Sequence, residues 1–233
     1  MIGTGTVVNA AAIVAGGALG LWAGRGIKAR YQETVIDGLS LCVMVLGLKM
    51  ALAGQHTLLV ISGLVLGILI GEALDIEGKL EHVGLYLGTR LSPKGETGAF
   101  AEGFLTTSLI YCVGAMAIVG SIQDGLNGDA STLYTKAMID GLSAIMYGAN
   151  MGAGVMASAL SVFIYQGTLT FLSSFIGPFV TDAVAQEISA AGGVLIFGIG
   201  LNMSKMITMR VGNMVPGLFI VAVMTYFLGW RIV

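Results

Sequence analysis

Charge is scarce in this sequence. Only 10% of its 233 residues are Asp, Glu, Lys or Arg, against about 25% in soluble domains. With 56% hydrophobic residues and a mean hydropathy of +0.90, a soluble fold of this size could not hide its apolar surface, so the bilayer is its solvent. There is no basic block, and with a net charge of -2 nothing favours nucleic-acid binding, so no nucleic-acid partner is expected. The two cysteines, Cys42 and Cys112, lie far apart inside apolar runs. Without a Cys/His cluster they suggest neither a disulfide framework nor a metal site. A hydrolase triad, a phosphate loop, a zinc signature and a dinucleotide fingerprint are missing too. The sequence therefore reads as no enzyme and as needing no cofactor. No basic stretch precedes the first apolar run and no small-residue cleavage site follows it. That run is expected to stay as a permanent helix.

What is present is a succession of apolar runs near the roughly 20 residues that cross a bilayer. Residues 1–24, 34–53, 57–73 and 103–123 supply four spans, with Asp37 and Lys49 interrupting the second. Residues 141–181 are uncharged throughout. As one helix they would run about 60 Å, twice the hydrocarbon core, so the chain must fold back. The turn is placed at Asn150-Met151-Gly152-Ala153-Gly154, between spans five and six. Residues 188–205 and 211–230 give spans seven and eight. Residues 74–91 mix Leu and Ile with Asp75, Glu77, Lys79, Glu81 and Arg90, as in an amphipathic helix on a membrane surface. Ser92-Pro93-Lys94-Gly95-Glu96 follows as a hinge.

Placing the N-terminus outside puts Arg25, Lys28, Arg30, Lys79, Arg90, Lys94, Lys205 and Arg210 in cytoplasmic loops (25–33, 74–99 and 205–210). It leaves Lys136 outside, with Arg231 at the C-terminal edge. The positive-inside rule selects this orientation. Spans two and five then run in opposite directions, and each opens on the same words: Ile36-Asp37-Gly38-Leu39-Ser40 and Ile139-Asp140-Gly141-Leu142-Ser143. Opposed copies of one unit are how many secondary transporters are built. The fold expected is an all-α polytopic bundle of about eight helices. Residues 1–73 and 100–176 form inverted repeats with broken helices, 74–99 connect them, and 188–233 add two helices.

Gly47-Leu48-Lys49-Met50, Gly148-Ala149-Asn150-Met151 and Gly200-Leu201-Asn202-Met203 place a polar residue at one position of an apolar run. Polar side chains inside a membrane usually face a bundle interior or a wet cavity. The candidate substrate residues are Lys49, Asn150, Asn202, Gln166, Asn9 and Asn213. Asp37 and Asp140 are candidates for carrying a coupling ion or proton. Each has a plainer reading. Lys49 would snorkel to the outer interface, Asn150 and Asn202 would end helices, and Asn213 would shape the turn before Pro216. Asp37 and Asp140 would cap helix N-termini. Span five has only nine residues between Asp140 and Asn150 and is expected to be short or broken. Gly16/Gly20/Gly24 and Gly63/Gly67/Gly71 form small-residue faces for helix packing, one of them a candidate homodimer interface. The 13 Met residues fill bundle gaps.

Several longer runs are distinctive. They are Gly3-Thr4-Gly5-Thr6-Val7-Val8-Asn9, the stretch from Thr107 through Tyr111-Cys112-Val113-Gly114 to Gln123-Asp124-Gly125-Leu126, Tyr165-Gln166-Gly167, and Val211-Gly212-Asn213-Met214-Val215-Pro216. Over essentially the whole chain they resemble the YqgA/YdfK-like family of bacterial inner-membrane proteins. That family carries a domain-of-unknown-function label, with transport as the activity suggested for it. The resemblance implies an inner-membrane location and a prokaryotic source, and it supplies no substrate or site residues. The expected function is transport of a small solute or ion through a mid-membrane site between the inverted repeats, among spans two, five and seven near the Gly-x-(Lys/Asn)-Met turns, with Lys49 favouring an anion. A passive channel and a non-transporting membrane scaffold are the alternatives. The expected partners are the bilayer, the solute and a second copy of the chain.

Overall fold

A computed structural model describes residues 2–24, 29–91, 97–113 and 115–228. The hinge at 92–96, and with it Lys94, lies outside the described residues, as do Arg25, Lys28 and Arg231. Eleven α-helices and two short 3-10 turns make up the described chain, which has no strand. The helices are α1 (Thr4–Gly24), α2 (Ala29–Ala51), α3 (Thr57–Leu74), α4 (Ile76–Leu91), α5 (Thr97–Cys112) and α6 (Ala115–Asn127). They continue with α7 (Ser131–Met151), α8 (Gly154–Phe171), α9 (Ser173–Ile176), α10 (Asp182–Met203) and α11 (Pro216–Leu228). The all-α bundle expected from the sequence is what the chain forms.

Five described helices, namely α1, α2 from Glu33, α3, α8 and α10, are long and apolar enough to cross a membrane, and a sixth span results if α5 and α6 count as one. The difference from about eight has local causes. α7 is long enough at 21 residues, but Lys136, Asp140 and Asn150 dilute its apolar character. α11 is cut to 13 residues because Pro216 cannot continue a preceding helix. The expected break occurs in a different span from the one foreseen. Span four bends by 62° between α5 and α6, whereas span five is the continuous α7. The foldback after α7 falls inside the expected 150–154 segment, at Gly152, whose φ of +77° suits glycine.

The chain divides into two compact units. Unit 1 comprises residues 1–35, 79–112 and 116–175, and unit 2 comprises residues 36–78, 113–115 and 176–233.

In unit 1, α1 and α7 lie side by side and run in the same direction. Gly5 rests on Leu133, Gly16 on Gly141 and Ala144, and Gly24 on Ala149. A methyl group at Gly16, Gly20 or Gly24 would drive into an α7 carbonyl oxygen, so these glycines are what allow the backbones to touch. α8 packs against the other side of α1 in the opposite direction. Gly17 meets Met156 near the start of α8, while Gly125, next to Asp124, meets Thr170 near its end. α5 runs parallel to α8, with Gly103 against Val155 and Ser108 bonded to Ser161 at 2.9 Å.

In unit 2, α3 packs antiparallel to α11. Gly63 meets Val221, Gly67 meets Gly217, and Gly71 meets Asn213 just before α11. α2 packs antiparallel to α10, with Gly47 between Gly193 and Phe197, and Gly200 on Met44. The two small-residue faces are thus filled within the chain, and neither is left over for a homodimer. Apolar side chains that stay exposed, such as Val14 and Leu19 on α1 or Ile61, Val65 and Leu69 on α3, mark surfaces suited to lipid rather than water.

Candidate functional site

Unit 1 holds a charged cluster in its interior. Lys136 Nζ lies 2.6 Å from Asp140 Oδ2, one turn further along α7. Asn9 Nδ2, on α1, donates to the same oxygen at 3.0 Å. The side chains of Lys136 and Asp140 are only 9% and 7% exposed, and Asn9 is fully buried. Desolvation is costly for both charges, and the short contact between them offsets part of it.

Further polar groups on α5, α7 and α8 lie in the same part of unit 1. Ser143 Oγ donates to the Asp140 carbonyl at 2.9 Å and approaches the buried Tyr111 hydroxyl at 3.4 Å. Tyr111 and Tyr147 meet edge to face at 6.4 Å. Gln166, on α8, is fully buried, and neither its amide nitrogen nor its oxygen has a partner among the described residues. Its level follows from helix register. Gln166 is ten residues beyond Met156, and ten residues back from Gly17 is Val7, between Thr6 and Asn9. Antiparallel helices share one rise per residue, so Gln166 sits level with these α1 residues. Thr6 Oγ1, Asn9 Oδ1 and Thr170 Oγ1 are likewise buried without a partner among the described residues. Below this level, Asp124 accepts from the amides of Gly3 at 3.2 Å and Gly5 at 3.1 Å, closing the N-terminus of α1 with a carboxylate.

The structure sorts the sequence candidates. Asn9 and Asp140 meet, and Gln166 stands level with Asn9. Asp140 is not an N-cap, since α7 begins nine residues earlier at Ser131. Asp37 is not one either. It lies exposed within α2, where Ser40 Oγ bonds its carbonyl at 2.7 Å. Lys49 is exposed on α2, which removes its pull towards an anion in a buried site. Asn150 ends α7 and turns its amide to the Met146 carbonyl at 2.7 Å. Asn202 clamps a loop, taking the Met209 amide at 2.9 Å and donating to the Met209 carbonyl at 2.7 Å. Asn213 Oδ1 accepts from the Glu77 amide at 2.7 Å while Glu77 Oε2 takes the Gly212 amide, also at 2.7 Å. These three asparagines serve local structure first. Among the described residues no group of His, Cys, Asp and Glu could hold a metal ion.

The sequence reading places Lys136 in an external loop and does not single out Asp124 or Glu187. Lys136 is a buried α7 residue. Asp124 and Glu187 are buried carboxylates that cap helix starts, Glu187 accepting from Gln55 and His56 ahead of α3 at 2.8 and 3.0 Å. The signal for Lys136 was its position four residues before Asp140, the spacing of a helical ion pair.

Known proteins agree with the membrane character. Residues 4–226 match the family described as Protein of unknown function (DUF554). The chain is 27% identical over 226 residues to the "Uncharacterized membrane protein YdfK" of Bacillus subtilis (strain 168), covering 95% of each chain. It is 25% identical over 221 residues to the "Uncharacterized protein YqgA" of Escherichia coli (strain K12), covering 93% of each. No solved structure matches. The protein is a multi-helix membrane protein, and it belongs to the DUF554 family.

Proposed function

We propose that the protein carries a small solute across the bacterial inner membrane, without converting it, and that the interior of unit 1 holds the solute site. One observation carries this reading: a buried Lys136–Asp140 pair held by Asn9 inside apolar helices. Ionisable groups at such depth are costly and by default mark a substrate or ion path. The repeated Ile-Asp-Gly-Leu-Ser segment supports an inverted repeat, because both copies sit mid-helix and bond Ser to the Asp carbonyl three residues earlier. The opposite directions of α1 and α5 within unit 1 also fit opposed copies. Asp140 is the group placed to exchange a coupling proton or ion, with Lys136 as its counter-charge. Any homodimer would use surfaces other than the two filled glycine faces.

The test is uptake into proteoliposomes of a panel of organic acids, amino acids, sugars, small amides and inorganic ions, with the N-terminus-outside orientation mapped by cysteine labelling. Uptake of one class that is lost in Asp140→Asn and Lys136→Met, yet kept in Asn202→Ala, supports the carrier and its site. Passage at rates too fast for a carrier and independent of any ion gradient would replace it with a pore. No flux of any solute would end both.

A further inference from the structure

Among the described residues, the buried unpaired groups of unit 1 are all neutral, and that constrains what they bind. Thr6, Asn9, Gln166 and Thr170 come from the antiparallel pair α1 and α8, and each is buried with at least one polar atom lacking a partner among the described residues. Leaving such atoms without partners is unfavourable, and for Gln166 both ends of the amide are involved. A local structural role would show as a bond to a backbone group within the helix, as Ser121 and Thr107 make to the carbonyls four residues before them. Gln166 makes none. The charged cluster at this level, which Asn9 touches, has one ammonium and one carboxylate already paired with each other. An anion entering here would face the Asp140 carboxylate without a free counter-charge, and a cation would face the Lys136 ammonium, while the nearby Asp124 carboxylate is already engaged by the Gly3 and Gly5 amides. A neutral molecule with a donor and an acceptor side by side matches Gln166, whose amide offers the complementary acceptor and donor.

We infer that Gln166, with Asn9, Thr6 and Thr170, forms a binding subsite for a small uncharged solute bearing adjacent hydrogen-bond donor and acceptor groups, such as a primary amide or a polyol. The inference rests on the carrier reading for its physiological meaning, but binding itself does not require flux.

Saturation-transfer NMR on the protein in lipid nanodiscs tests it. The probes are acetamide and glycerol, with acetate and methylammonium as charged counterparts of similar size. Transfer is expected to the two neutral probes and not to the charged ones. It is expected to be lost in Gln166→Met and in Thr6→Val, two near-isosteric changes made in different helices. Gln166→Met should also unfold at a higher temperature than the parent, because an unpaired amide has been removed. The inference is overturned by equal transfer to acetate or methylammonium, by no transfer to any probe, or by neutral-probe signals that survive both substitutions. A lower unfolding temperature in Gln166→Met would overturn it too, by revealing a structural amide. Binding of neutral probes without vesicle uptake would remove the carrier reading and leave the subsite. Uptake restricted to charged solutes would do the reverse.

Discussion

Lys136 and Asp140 lie one turn apart on α7, their charged atoms 2.6 Å from each other, and both side chains are closed off from the surroundings. Asp140→Asn leaves a buried ammonium without its counter-charge, and Lys136→Met leaves a buried carboxylate. Each change is expected to lower stability by about 3–5 kcal/mol. The double variant should fall short of the sum by more than about 1 kcal/mol, since the two groups form one interaction. A double-mutant cycle from denaturant unfolding in detergent measures this, and additive losses would show that the pair is not coupled.

Two glycines in apolar helices should respond in opposite ways. A Cβ at Gly20 meets the Ile145 carbonyl and the backbone of Ala149, whereas nothing lies within 4 Å of one at Gly38. Gly20→Leu is expected to prevent α1 from seating on α7 and to abolish a monodisperse preparation. Gly38→Ala should be neutral or stabilising by up to about 1 kcal/mol, the helix-propensity difference. Gly38 belongs to the repeated segment, so a loss of stability there would reveal a neighbour beyond the described contacts.

Asp124→Ala removes the acceptor for the amides of Gly3 and Gly5. The expected cost is about 0.5–2 kcal/mol, the range for lost helix caps. It should be local, and hydrogen exchange should accelerate at the first turn of α1 while the α8 amides keep their protection.

Asp129 lies outside the spans, in the loop ahead of α7. The Ser131 backbone amide donates to its carboxylate at 3.0 Å, and hydrogen bonding from Ser131 holds the group below the ordinary Asp range. The contribution of a depressed carboxylate is present above its unfolded value and is lost as pH falls through the lower folded value. Protection of the Ser131 amide should therefore persist at neutral pH and vanish only at pH below the usual carboxylate range. Asp129→Asn should flatten that dependence.

The all-α character was legible because lipid-facing runs announce themselves by length and lack of charge, but the number of spans was not. Asn9 and Gln166 stood out for the same reason, as polar residues inside those runs, and Asp140 through the repeated Ile-Asp-Gly-Leu-Ser segment. Lys136 did not. An apolar window begins only after Asp140, so the first nine residues of α7 read as loop, and the positive-inside rule then counted Lys136 as an external base. The same boundary made Asp140 look like a cap and span five look short. The asparagine echo after Gly148 and Gly200 pointed to helix ends where side chains bond nearby backbone, a use that shares its sequence pattern with a cavity lining. Register between α1 and α8 comes from glycine contacts, which no single segment of sequence contains.

The glycine seam between α1 and α7 has a mechanical consequence. Where backbone touches backbone there is no layer of side chains to change rotamer and absorb sliding. The two helices must then travel as one stiff strut, carrying Asn9, Lys136 and Asp140 together with fixed spacing. A displacement of one of the two helices would therefore carry the buried charge pair and its asparagine with it, and would be felt at Gly17, where α1 rests on Met156 of α8.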